Sequence, residues 1–154
     1  MPCGAGLCVR QDVARHYEHL HENGSRRILL DRTGTSLLSG GDNDLAACAC
    51  DVGLGVGLIT ALKLTHLIPP ERFTVDYHVR LAEGISYSSV MLDAERGIVA
   101  LRRNLFGQLV DYLRTMRLAS PHREIASAAY RGRDRATRQI EFRAKGRGTG
   151  KSSA

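Results

Sequence analysis

The stretch that most constrains this chain is Cys48-Ala-Cys-Asp-Val-Gly-Leu-Gly-Val-Gly-Leu-Ile59, an acid and three alternating glycines inside an apolar run from Leu45 to Leu67. Two arrangements accommodate it. A methyl-donor- or nucleotide-binding turn built on Gly53, Gly55 and Gly57 needs a buried parallel strand before it. It also needs a helix after it, so that helix N-terminal N–H groups meet the ligand. A packed helix instead uses glycines where a neighbouring backbone approaches, each costing about 1 kcal/mol relative to Ala. Residues 45–50, Leu-Ala-Ala-Cys-Ala-Cys, are small and helix-tolerant rather than β-branched, and no series of βαβ units follows them. A helix over Leu45–Leu67 is therefore expected. It is apolar nearly all round, so a sheet and a second subunit should both cover it. The expected contact set is Leu45, Cys48, Asp51, Val52, Gly53, Gly55, Val56, Gly57, Ile59 and Lys63.

The flanking segments predict the rest of the fold. Val13, Tyr17 and Leu20 recur at helical spacing within Arg10–Glu22. Arg27–Asp31 and Thr35–Ser39 read as a hairpin around Arg32-Thr33-Gly34, and Asp42, Asn43 or Asp44 can cap the central helix. After Pro69-Pro70, Phe73, Val75, Tyr77, Val79 and Leu81 alternate with Thr74, Asp76, His78 and Arg80, the clearest strand pattern in the chain. Ala82-Glu83-Gly84 turns it, Ile85–Leu92 returns, Asp93–Gly97 turns again and Ile98–Arg102 adds a third strand. Asn104 then caps a last helix with Leu105, Leu109, Tyr112, Leu113 and Met116 on its apolar face. The order α-β-β-α-β-β-β-α specifies an α+β domain with a five-stranded, mostly antiparallel sheet, spanning residues 1–121. Phe73, Val75, Tyr77 and Val79 lie on its expected dimer strand.

Charge is segregated. From His122 onward there are nine Lys/Arg against three acids, a net +6 that equals the formal charge of the whole chain. Residues 122–154 read as a flexible basic tail with few apolar side chains. Any polyanion contact should fall on Arg131, Arg133, Arg135 and Arg138, but no aromatic stacking platform accompanies them, so nucleic-acid binding is not the expected role.

Catalytic machinery is not legible, and the protein is expected not to be an enzyme and to need no cofactor. Gly146-Arg-Gly-Thr-Gly-Lys-Ser152 lacks the first glycine of a phosphate-binding loop, because Lys145 holds that place, and no strand precedes it. His16 and His19 stand at i, i+3, yet no acid or cysteine of ligand spacing joins them, so they read as a solvated helix face with no metal. Cys48 and Cys50 point about 200° apart on a helix and cannot share a bridge, so the four cysteines read as reduced thiols. Residues 1–20 lack a basic start followed by an apolar core, and Asp51 and Lys63 interrupt the long apolar run. A cytoplasmic protein without a membrane span is expected.

Ile28-Leu-Leu-Asp31-Arg-Thr-Gly34 resembles the strand–Asp-x-x-Gly hairpin of the roadblock/dynein light-chain superfamily, and Leu45-Ala-Ala resembles the opening of its small-residue central helix. The resemblance covers roughly Gln11 to Leu118. It implies a homodimer or heterodimer with sheets joined edge to edge and central helices paired. It further implies a regulatory module for a small Ras-like GTPase. A structural adaptor or motor-associated light chain is the alternative within this family, and a small methyl-donor- or nucleotide-binding enzyme is the alternative outside it. The Cys-x-Cys pair, the alternating glycines and Pro69-Pro70 depart from the family pattern.

Overall fold

Thr74 opens one of the two long helices among the described residues. Its hydroxyl accepts a hydrogen bond from the Tyr77 N–H at 3.3 Å, capping a helix that runs without interruption from Val75 to Glu95. In the computed structural model, residues 6–22, 30, 37–98 and 104–148 are described. Among these residues there are five α-helices and no strand: α1 (Gln11–Glu22), α2 (Gly41–Asp51), α3 (Val75–Glu95), α4 (Leu105–Met116) and α5 (His122–Gly148). The expected five-stranded α+β fold is overturned.

The strands expected over Phe73–Leu81 and Ile85–Leu92 fall almost wholly on one helix, α3. Phe73 closes a 3-10 turn, Pro70–Phe73, while Val75, Tyr77, Val79 and Leu81 belong to α3, so the expected dimer strand does not exist. Period-two alternation over nine residues was outweighed by a face of period 3.6, in which Gly84, Ser88, Met91 and Leu92 are buried together. Gly84, expected at a turn, lies in mid-helix. A Cβ there would stand 2.5 Å from the Leu37 carbonyl oxygen, so glycine serves close approach rather than chain reversal. Ser88 fixes the same contact, donating to the Gly84 carbonyl at 2.9 Å and accepting from the Ser39 N–H at 3.1 Å. The hairpin Arg27–Asp31/Thr35–Ser39 and the strand Ile98–Arg102 lie largely outside the described residues. The described ends, Leu37–Ser39 and Ile98, are not strand.

The central helix stops sixteen residues early, at Asp51 rather than Leu67. Gly53 adopts φ +75°, its N–H bonds to the Cys50 carbonyl at 3.1 Å, and the Leu54 N–H bonds to the Ala49 carbonyl at 2.8 Å. That is a Schellman ending, with Leu54 packed back on the Cys48–Ala49 cluster. Residues 54–69 have no regular structure. An identical device ends α3: Gly97 at φ +79°, its N–H on the Ala94 carbonyl and the Ile98 N–H on that of Asp93.

The segment expected to be a flexible tail is α5 over residues 122–148, and it forms the main helix pair of the fold with α3. The two run parallel, Glu83 facing Arg131 and Arg135, Tyr87 facing Gln139, and Glu95 facing Arg143. Ala128, Gly132 and Ala136 make a buried stripe at four-residue spacing. A Cβ at Gly132 would collide with the Glu83 carbonyl oxygen, so the backbones touch. Leu30, Val90, Met91, Leu92 and Ala136 form this core, with Tyr87 and Ile140 against it. A second, smaller core joins α1 to α2 through Val13, Cys48 and Ala49. No described helix is long and apolar enough to cross a membrane.

Candidate functional site

Two features stand out from packing alone. The first is the orientation of α4. Asn104 caps it as expected, accepting from the Gly107 N–H at 2.8 Å. The face turned inward is the polar one: Asp111 and Thr115 are 7% and 6% exposed. Tyr130 of α5 donates to the Asp111 carboxylate at 3.3 Å, and Thr115 donates to the Asp111 carbonyl at 2.8 Å. Consequently Leu105, Phe106, Leu109, Tyr112, Leu113 and Met116 form an outward ridge, each 47–83% exposed. Beside the inward face a cleft of about 320 Å³ runs between α4 and α5, lined by Gln108, Asp111, Tyr130, Arg131, Asp134 and Thr137 among others.

The second feature is a charged cluster that links the end of α3 to α2. Arg96, at the end of α3, reaches α2 with both guanidinium arms. Nη1 donates to Asp44 Oδ1 at 2.9 Å, and Nη2 contacts both oxygens of Asp51 at 2.6 and 2.7 Å. Burial pulls this guanidinium down, yet the hydrogen bond and charge of Asp51, with Asp44 behind it, hold it above its ordinary value. Cys48 lies fully buried between these acids. Burial, then the charge of Asp44, pushes its thiol up, against a hydrogen bond from Arg96. From α1, His16 Nε2 stands 4.0 Å from Asp51 Oδ2. The ligand atoms of His16, Cys48 and Asp51 all lie within 4.8 Å of one another.

The residues singled out in the sequence separate. Leu45 and Cys48 pack inside the α1–α2 core, and Asp51 is held by Arg96. Val52, Val56, Ile59 and Lys63 are exposed, as are Phe73 and Val75, whereas Tyr77 and Val79 are half-buried. Gly53 ends α2, while Cβ atoms at Gly55 and Gly57 would meet nothing within 4 Å, so neither lies at a backbone contact. Because these glycines follow a helix C-terminus, carbonyl groups rather than N–H groups face the turn, the wrong polarity for a phosphate. Of the tail arginines, Arg131 and Arg135 pair with Glu83 and Arg138 pairs with Asp134, all more than half exposed, while Arg133 lines the α4–α5 cleft. Cys8, Cys48 and Cys50 are free thiols.

Sequence reasoning set aside His16 because it looked for ligands nearby in the chain. The partners stand 32 and 35 residues away, brought in by α1–α2 packing. Cys48 and Asp51, at i, i+3 on the last turn of a helix, were the available signal. No family model, curated protein or solved structure matches this chain.

Proposed function

We propose that this chain is a non-enzymatic helical module that works by protein–protein association, and that it associates with a second copy of itself through the α4 ridge. The observation that supports this reading is the inverted helix: six large apolar side chains outward, with an aspartate and a threonine inward. A surface helix in a self-sufficient monomer turns its apolar stripe to the core. Contiguous apolar surface of this extent on a folded protein marks an interface.

The area suits a pair. With Phe106 and Tyr112 at roughly 150–250 Å² each when fully covered, and the smaller Leu and Met side chains adding less apiece, the ridge offers roughly 700 Å² per copy. Two copies would then bury about 1,400 Å², within the range of specific interfaces. Spacing of Leu105, Leu109, Tyr112, Leu113 and Met116 at 4, 7, 8 and 11 residues keeps them on one face, as antiparallel helix pairing requires. A GTPase-regulating role was implied by the resemblance to a sheet-containing family whose central helices pair. The described residues hold no such sheet, and nothing else carries that role forward.

Sedimentation velocity on the full chain tests the reading. The wild type should be dimeric at micromolar concentration. Leu109→Glu with Leu113→Glu should give a monomer of unchanged helicity, since both side chains are exposed and lie outside the core clusters. A wild type that stays monomeric throughout the micromolar range, or a variant as dimeric as wild type, would refute self-association through α4.

A further inference from the structure

We infer that His16, Cys48 and Asp51 form a binding site for one divalent transition-metal cation of the zinc class. Three elements of the structure combine to make it. The last turn of α2 presents Cys48 and Asp51 on one face, and the Schellman ending at Gly53 fixes that turn. The α1–α2 core, built on Val13, Cys48 and Ala49 with Tyr17 and Leu20, brings His16 opposite. Arg96 clamps the Asp51 carboxylate through one nitrogen. A carboxylate has about four lone-pair positions, so capacity for a metal bond remains.

Donor chemistry selects the ion. Thiolate, imidazole and carboxylate together suit zinc, whereas magnesium and calcium take oxygen ligands alone. Zinc–ligand bonds of about 2.0–2.3 Å in a tetrahedron require donors roughly 3–4 Å apart. The present separations, 4.0 Å between His16 Nε2 and Asp51 Oδ2 and none above 4.8 Å, close to that with side-chain rotation. Three protein ligands leave a fourth position for water or an external donor.

Charge points the same way. Two carboxylates, Asp44 and Asp51, face the single guanidinium of Arg96, an excess of one negative charge. On binding, the Cys48 proton leaves to solvent as the sulfur–metal bond forms. The cation's two charges then meet the thiolate, and the cluster becomes neutral. The carbonyl end of α2, the negative end of its dipole, also favours a cation there. Cys48 is wholly buried, but His16 and Asp51 side chains are 33% and 36% exposed, so an ion can enter along their side.

Cobalt(II) is the probe, added to chelator-treated, reduced full-length chain. The expected result is one equivalent bound, with visible ligand-field bands, a near-ultraviolet sulfur-to-cobalt charge-transfer band, and bleaching of both by one equivalent of zinc. Cys48→Ser should abolish the charge-transfer band. Cys8→Ser with Cys50→Ser should leave it intact, because those thiols are exposed and apart. His16→Gln should weaken cobalt binding by more than the roughly 10–100-fold typical of losing a supporting outer-shell group. Absence of the band in wild type, its survival in Cys48→Ser, or its loss in Cys8→Ser/Cys50→Ser would overturn the site. Should Cys48→Ser fail to fold, His16→Gln decides, since an affinity equal to wild type overturns the assignment by itself.

Discussion

Gly132→Ala should destabilise this protein although it replaces a helix-weakening residue with the best helix former. Residue 132 lies in the middle of α5, where Ala is favoured over Gly by about 0.8–1.0 kcal/mol. Packing opposes that gain. The added Cβ would overlap the Glu83 carbonyl oxygen, a backbone atom of α3 that cannot rotate aside. Overpacking costs about 1–3 kcal/mol, and a rigid backbone neighbour argues for the upper half of that range. The net expectation is a loss of roughly 1–2 kcal/mol, or about 2–8 °C in Tm for a chain of this size. Urea titration and thermal melts at one fixed protein concentration measure it, the concentration held constant because association shifts apparent stability. Gly55→Ala is the matched control, since a Cβ there meets nothing within 4 Å. A Gly132→Ala protein as stable as wild type, or more so, would refute the parallel backbone contact of α3 with α5.

Truncation after Pro121 should abolish cooperative thermal unfolding, because it removes Ala136 and Ile140 from the larger core; a sharp, undiminished calorimetric transition would contradict this. Gly53→Ala should cost roughly 0.5–1.5 kcal/mol in urea titrations, as a left-handed Ala is strained by about 1–2 kcal/mol and the stiffer unfolded chain returns part of that. Arg96→Met should cost about 3 kcal/mol by the same assay, near the lower end for breaking a buried ion pair: Asp44 is 3% exposed, but Asp51 is more than a third exposed. In timed iodoacetamide labelling read by mass spectrometry, Cys8 and Cys50 should react well before Cys48, which is buried with its thiol pushed up; equal rates would contradict that burial.

Local signals in the sequence survived where their cause was itself local. Asn104 caps α4 because its side chain reaches an N–H three residues on, and α1 follows the Val13, Tyr17 and Leu20 spacing. The apolar face of α4 was also legible, though not the direction in which it would point. Glycine was the least transparent residue, because one side-chain-free position serves three ends. Gly53 supplies a positive φ at a helix end, Gly84 and Gly132 admit another backbone, and Gly55 and Gly57 meet no neighbour at all. Nothing within a few residues separates these cases.

The sequence by itself determined short-range geometry and the concentration of charge after His122, since both depend only on residues close in the chain. Tertiary structure decided the rest. A segment poor in large apolar residues became the main packing partner because Ala128, Gly132 and Ala136 let backbones touch, and close contact substitutes for bulk. An alternating stretch became helix because the turns that follow it in α3 bury a face of period 3.6, with Gly84 against Leu37 and Glu83 against Gly132 of α5. His16 met Cys48 and Asp51 only when α1 closed on α2, a proximity that a linear chain does not encode.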